Sequence, residues 1–386
     1  MSTTLLMLAL GNLVIGTGAF LLTGILVPVS EDLGVSVAAA GQAMTAYAVS
    51  TALLAPLMVM ATGRWPRRRA LIAAMAVFGA GGLVCAAAPN LAVLLAGRVL
   101  MGVGAAFTPI AAGVAVAIVE PARRGRALSV VFLGVSLSYV IGLPVGAWLG
   151  LRHGWAAPVA VIAAIALLTC GLLKALLPRE IQAPGASFRG VGILLRRGDV
   201  LNALGLTLLY FTAIFLVFSY IGPVLKALVP MDAGRLSITL MLFGLSGMVG
   251  TIVGGWENDR FGWRRTLFVH LVVLTAMMGL VPLTGGSYPA LLAVLLVWGV
   301  AGFGMMTAQQ SRLAMLSPPQ VPLLLSLNAS MLYVGTALGA AIGGLVAPEV
   351  GFGRLAWVGV PLGLVGLVLL LVARSAPRPC SERAGT

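Results

Sequence analysis

Apolar stretches of about 20 residues, the length a helix needs to cross a bilayer, recur along almost the whole chain. Short clusters of charged residues, glycine and proline separate them. Twelve such runs are predicted as membrane spans: Thr4–Val29, Ala39–Thr62, Ala70–Ala88, Leu91–Val119, Ala127–Leu149, Trp155–Leu177, Val200–Lys226, Leu236–Gly255, Thr266–Thr284, Pro289–Met315, Val321–Val346 and Leu355–Val372. An even number keeps both termini on one side. The segment 178–199 carries Arg179, Glu180, Arg189, Arg196 and Arg197 and is too charged to span. It is predicted as a linker between an N-terminal half, 1–177, and a C-terminal half, 200–386, with a short amphipathic helix over Phe188–Arg197 lying on the headgroups.

Composition agrees with this pattern. The 386 residues are 60% hydrophobic and 9% charged, where soluble domains carry about 25% charge. The 50 glycines suit a packed bundle in lipid, where small residues let helix backbones approach. A net charge of +14 invites a nucleic-acid partner, but its placement argues against one. Basic residues crowd the connections 2–3, 4–5, 6–7 and 8–9, with Arg312 at the 10–11 connection, and the tail; Arg152, Lys226, Arg235 and Arg354 lie opposite. By the positive-inside rule this puts both termini in the cytoplasm.

The first apolar run has no basic flank and exceeds a signal-peptide core, so it is read as a span. Cys85, Cys170 and Cys380 form no disulfide framework. No phosphate loop, His-Glu-x-x-His, nucleophile elbow or metal-spaced cysteines occur, so neither an enzyme nor a metal or cofactor site is expected.

The two halves repeat one another. Gly255-Trp-Glu-Asn-Asp259-Arg260-Phe-Gly262-Trp-Arg264-Arg265 has a degraded copy at Ala61-Thr-Gly63-Arg64-Trp-Pro66-Arg67-Arg68-Arg69. In the second copy Gly255 is expected to end a helix, Gly262 to permit a turn, and Asp259 to pair with an arginine or sit at the following helix's N-terminus. A cytoplasmic latch is therefore expected from Arg64, Arg68, Asp259, Arg260, Arg264 and Arg265. Gly102-x-Gly104 in span 4 matches Gly302-x-Gly304 in span 10, with Trp298 standing where Arg98 would be. Gly142, Gly146 and Gly150 in span 5 match Gly335, Gly339 and Gly343 in span 11. Spacing at i, i+4, i+8 sets each trio on one face, where another helix can dock closely. Pro144 removes a backbone donor and suits a helix that bends.

The Gly-x-x-x-Asp-Arg-x-Gly-x-Arg-Arg form resembles the loop between helices 2 and 3, and again 8 and 9, of the major facilitator superfamily. Arg98 followed by small residues resembles that superfamily's span-4 motif. Gly142, Pro144, Gly146 and Gly150 resemble the antiporter motif of its exporters, with Leu143 inserted and Ala147 after Gly146. Together with Pro28 to Ser36 and the Pro121 to Arg126 loop, the chain resembles the twelve-span drug:proton antiporter group, in the branch of arabinose-efflux-like and chloramphenicol-resistance exporters. The resemblance implies an all-α membrane protein whose twelve transmembrane helices form two pseudo-symmetric six-helix halves. It implies a monomeric secondary transporter of the bacterial inner membrane, exporting a small neutral amphipathic solute (a sugar, a phenicol-like drug or a metabolite) with protons as partner. An uncoupled facilitator or importer is the alternative; a transport-dead sensor or scaffold is a minor one.

One departure changes the expected chemistry: none of the ten acids lies near the middle of a span. A buried carboxylate is the usual proton carrier and attractor of cations. Its absence leaves Glu257 and His270 as the proton-coupling candidates and predicts a neutral, aromatic lining. The cavity candidates are Asn12, Thr17, Tyr47, Arg98, Tyr139, Tyr210, Phe215, Trp298, Gln309, Asn328 and Tyr333. For Arg98 two readings stand, a cavity cation or an arginine satisfied by backbone carbonyls at a helix break.

Overall fold

The computed structural model describes residues 3–120, 123–178, 181, 191–317 and 320–373. Twelve helices are long and apolar enough to cross a membrane: Thr3–Gly24, Val37–Ala61, Arg67–Ala86, Leu91–Ala117, Arg126–His153, Ala156–Leu176, Gly198–Phe218, Ala233–Phe261, Trp263–Thr284, Tyr288–Leu316, Leu323–Val350 and Phe352–Val372, here spans 1 to 12. Consecutive spans alternate in direction, so both chain ends emerge on one side, the termini side. Helices are the form open to such segments, because each backbone N–H must find its partner inside the segment when lipid offers none. Most of the predicted linker and the tail with Cys380 lie outside the described residues; within the linker one helical turn covers Val191–Leu194.

Where the far-side ends of spans meet water, polar caps replace the missing helical bonds. Ser36 accepts from the Ala39 N–H at 3.1 Å, Asn90 from Val93 at 3.0 Å, and Asp232 from Arg235 at 2.7 Å. On the termini side the expectation for the Gly255–Arg265 stretch needs correction. Gly255 does not end span 8, which stays helical to Phe261. Leaving the apolar layer costs a helix none of its internal bonds, so charge alone does not stop it. The stop is Gly262, whose φ of +79° turns the chain directly into Trp263. Arg312, counted with the 10–11 connection although it falls within the predicted run Pro289–Met315, lies inside the span 10 helix and is 3% exposed.

The two glycine trios face equivalent neighbours. Span 5 packs on span 1: side chains of Thr17, Leu21 and Ile25 occupy the space that a Cβ on Gly142, Gly146 or Gly150 would need. Span 11 packs on span 7, where a Cβ on Gly335, Gly339 or Gly343 would meet the Leu208, Thr212 or Leu216 carbonyl at 2.6, 2.5 or 2.7 Å. Close approach of this kind maximises dispersion contact between helices in lipid. Beside Pro144 the span 5 helix widens into a π-turn over Ser138–Gly142. Proline cannot donate to the preceding turn, and the extra residue takes up the missing bond.

Contacts between the first six spans and the last six collect toward the far side. Gly24 and Gly222 meet backbone to backbone, a Cβ on Gly222 falling 2.6 Å from the Gly24 oxygen. Gly244 in span 8 would place a Cβ 2.5 Å from the Tyr139 carbonyl in span 5. Tyr220, in the break after span 7, is fully buried. Its hydroxyl donates to Ala340 in span 11 at 2.9 Å and reaches Ala38, in the first turn of span 2, at 3.5 Å.

Candidate functional site

An aromatic cluster forms where spans 1, 5, 7, 8 and 10 meet. Phe20 stacks on Tyr139 at 5.0 Å and lies 5.7 Å from Phe215 and 6.0 Å from Phe218. Tyr139 meets Phe303 edge-on at 5.2 Å. Phe243 stacks with Phe218 at 5.7 Å and tilts against Trp298 at 5.6 Å. These separations fall in the range where ring quadrupoles add to area burial. Phe215, Phe218, Phe243 and Trp298 are buried, while Phe20, Tyr139 and Phe303 remain partly accessible. The cluster thus draws rings from both halves, and the π-turn of span 5 aims Tyr139 into it.

Of the predicted lining, the structure gathers Tyr139, Phe215 and Trp298 in this cluster. Phe20, Phe218, Phe243 and Phe303 join them without having been expected. The spacing of Phe211, Phe215 and Phe218, at i, i+4 and i+7, carried a usable signal, since it sets all three on one helical face. Phe20, Phe243 and Phe303 had none, because single aromatics in an apolar run do not disclose their azimuth.

The amides go elsewhere. Asn12 donates to the Val131 carbonyl at 3.0 Å and accepts from Thr108 at 2.8 Å, tying spans 1, 4 and 5. Gln309 donates to the Ala203 carbonyl at 2.6 Å and to Thr207 at 2.9 Å, and Thr207 donates to Asn328 at 2.6 Å. Asn202 continues this network toward the termini side, accepting from Arg312 at 2.6 Å and donating to Leu369 at 3.0 Å. Arg312 also stacks over Trp263, 5.1 Å from the ring centre. The Tyr210 hydroxyl donates to the Gly302 carbonyl. Thr17 is buried against the Gly142 face of span 5.

Arg98 is 1% exposed. Its guanidinium donates to the carbonyls of Ala43 at 3.1 Å, Gly18 at 2.7 Å and Ala19 at 2.6 Å, and it lies over the Tyr47 ring at 4.6 Å. Gly18 and Ala19 sit where span 1 tightens into the 3-10 turn Leu21–Gly24. Backbone oxygens at a helix break and an aromatic face therefore surround this cation, with no carboxylate in salt-bridge range among the described residues.

Toward the termini side His270 bridges spans 8 and 10. Its Nε2 lies 2.5 Å from Glu257 Oε2 and its Nδ1 2.9 Å from the Ala301 carbonyl. Asp259 is exposed, with Asn258 at 3.5 Å beside it and no ion pair among the described residues. Arg260 stacks over Trp256 at 5.4 Å, Arg264 donates to Leu371 at 3.2 Å, and Arg68 donates to the Lys174 carbonyl. Arg64 and Arg265 are both exposed at the surface.

Residues 8–320 match the family model described as Major Facilitator Superfamily. The chain is 31% identical over 374 residues to the inner membrane transport protein YdhP of Escherichia coli (strain K12), covering 96% of this chain and 95% of that protein. It is 27% identical to a probable sugar efflux transporter of Mannheimia succiniciproducens, over 95% of this chain and 92% of that one. Among solved structures, an inward-facing, occupied bacterial homologue of the lysosomal transporter Spinster superposes with a TM-score of 0.78 at 18% identity, covering 96% of this chain and 94% of the other. A D-xylose-proton symporter gives a TM-score of 0.75 at 16% identity over 95% and 96%. These two likenesses concern the fold.

Proposed function

The chain belongs to the Major Facilitator Superfamily, a family of membrane transporters rather than enzymes, and on that footing we propose that it exports a small, uncharged solute with an aromatic or apolar body from the bacterial cytoplasm. The single observation that carries this reading is the aromatic cluster shared by both halves, with its partly accessible rings Phe20, Tyr139 and Phe303. Such a surface offers apolar area, ring stacking and the tyrosine hydroxyls. A permanent cation would lose its water there without gaining a carboxylate.

Sidedness supports alternating access between the two halves. The basic clusters of the termini side mark it as cytoplasmic, so the far-side contacts around Tyr220, Gly24 and Gly244 form an outer seal. Rocking of the halves would part that seal and join the termini-side ends. A sugar, the solute in the name of the Mannheimia relative, is less well served. Recognition of several hydroxyls needs free amides and carboxylates, yet Asn12, the side-chain oxygen of Asn328 and the donor side of Gln309 are committed inside their own halves.

The test uses purified protein in liposomes with three probes: chloramphenicol, arabinose and ethidium. Saturable chloramphenicol movement, with a raised KM in Phe20→Ala and Phe303→Ala, is the expected result. Movement of arabinose or ethidium without chloramphenicol would overturn the assignment.

A further inference from the structure

We propose that Glu257 and His270 form a single-proton site whose loading is transmitted through one turn of span 10 to the aromatic cluster, making export proton-coupled; the coupling half of this inference rests on the transport reading above. The argument starts from hydrogen-bond roles. The Ala301 carbonyl can only accept, so Nδ1 of His270, 2.9 Å away, must carry hydrogen. Nε2 then faces Glu257 Oε2 at 2.5 Å, a separation at which one proton must lie between the two. It belongs either to an imidazolium beside a carboxylate or to a carboxylic acid beside a neutral imidazole. In both arrangements the pair holds one proton and no net charge. When that proton leaves to water on the termini side, a carboxylate oxygen and an imidazole lone pair are left facing each other, and the contact must open.

The site is built for that exchange. His270 is 4% exposed, whereas the Glu257 side chain keeps 25% of its surface, so the acid can turn outward while the ring cannot. On span 8, Asp259 is exposed, and Arg260, exposed too, stacks on Trp256 and Phe261. On span 9, Arg264 is directed at the Leu371 carbonyl of span 12 and Arg265 is exposed. On span 10, Arg312 is held by Asn202 and Trp263. The Leu355–Val372 helix of span 12 contributes no charged residue, and span 5 brings only Arg126 on the termini side and Arg152 and His153 at the far end.

Span 10 supplies the transmission. The imidazole fits only because residue 304 is glycine: a Cβ there would lie 2.8 Å from Nδ1 and nearer still to Cε1. Gly304 in turn packs backbone to backbone on Gly254, in the same helix as Glu257. The turn Ala301–Gly304 therefore presents Ala301 and Gly304 to the proton pair. Gly302 holds the Tyr210 hydroxyl, and Phe303 meets Tyr139 and Phe243 in the cluster. Opening of the pair removes the ring's Nε2 anchor while Nδ1–H stays on Ala301, so the ring can tilt beneath Gly304 and the turn carrying Phe303 can then shift.

Two measurements on the full-length protein separate this site from the transport reading. The first needs no solute. Infrared difference spectroscopy across a pH titration should show imidazole bands changing together with a carboxyl band, of the acid or of the carboxylate, with both changes absent in Glu257→Gln, whose amide donates to neutral Nε2 and imitates the proton-loaded pair. Glu257→Asp should restore a titrating band. An unchanged spectrum in Glu257→Gln overturns the proton site, whether or not any solute moves. The second uses chloramphenicol in liposomes: Glu257→Gln should lose accumulation driven by an imposed pH gradient while retaining counterflow exchange. Gradient-driven accumulation at the wild-type level in that variant overturns the coupling, and loss of counterflow together with gradient-driven uptake assigns Glu257 to folding or solute binding, overturning it equally. Absence of chloramphenicol movement in the wild type itself counts against the transport reading and the coupling, and leaves the infrared result to decide the site.

Discussion

The Nη2 of Arg98 donates to the Ala19 carbonyl at 2.6 Å, while Nη1 takes Gly18 at 2.7 Å, so one guanidinium closes the break at which span 1 leaves α-helical geometry. Nε binds Ala43 of span 2 at 3.1 Å, and the same fork thereby joins spans 1, 2 and 4. A lysine ammonium cannot reproduce this planar pattern. Arg98→Lys is expected to lower thermal stability by about 1.5–3 kcal/mol, the scale of a charge-assisted bond, and to leave the KM of the surviving transport unchanged. A raised KM at wild-type stability would place Arg98 in the solute path instead.

The two glycine trios differ in what confronts them. A Cβ on Gly339 would meet the Thr212 oxygen at 2.5 Å and the Leu216 nitrogen at 2.7 Å, both backbone atoms fixed by a helix. A Cβ on Gly146 would meet a terminal methyl of Leu21, with its other neighbours at 3.5 Å or beyond. Backbone cannot step aside, and a leucine methyl can. Gly339→Ala should therefore cost about 1–3 kcal/mol and Gly146→Ala clearly less, read as melting temperatures in detergent. Equal losses would show that span 1 is as rigid at Leu21 as span 7 is at Thr212.

Tyr220 seals the far side through its hydroxyl bonds to Ala340 and Ala38. Tyr220→Phe keeps the ring and removes both bonds, at about 1 kcal/mol. Leu240 is 1% exposed and packs against Gly24 behind this seal. With Cys85, Cys170 and Cys380 changed to serine, Leu240→Cys should react faster with an impermeant thiol reagent, applied from outside, when Tyr220→Phe is also present. The same rate in both backgrounds would mean that the ring, rather than the hydroxyl, holds the seal.

Asp259 is exposed and forms no ion pair among the described residues, so it does little for stability in this conformation. If it engages an arginine only when the termini-side ends of the halves come together, Asp259→Asn should slow transport while membrane abundance stays at the wild-type level. A variant of normal abundance and normal transport rate would remove Asp259 from the cycle.

Local rules determined the span number, the glycine faces and the lack of a mid-membrane acid, all read from residue order alone. The bilayer enforces them: it demands internally bonded helices of a set length, whatever the neighbours. Gly262 was legible as a turn for the same reason, although the extra length of span 8 was not, because charge does not unwind a helix. Tertiary structure alone decided which side each residue of a span faces. Asn12, Gln309 and Asn328 read as lining in the sequence and became clamps, while Phe20, Phe243 and Phe303 read as filler and became the cluster. Arg312 falls at the charged end of a predicted span, and only packing against Asn202 and Trp263 shows that it is buried. Helix rotation of this kind follows from packing against distant spans, and in an evenly apolar helix no hydrophobic face reports it. The meeting of Glu257 with His270 across the Gly262 turn, closed from above by Gly304, is the sharpest case: each residue was visible as a candidate, and only the approach of spans 8, 9 and 10 made them one site.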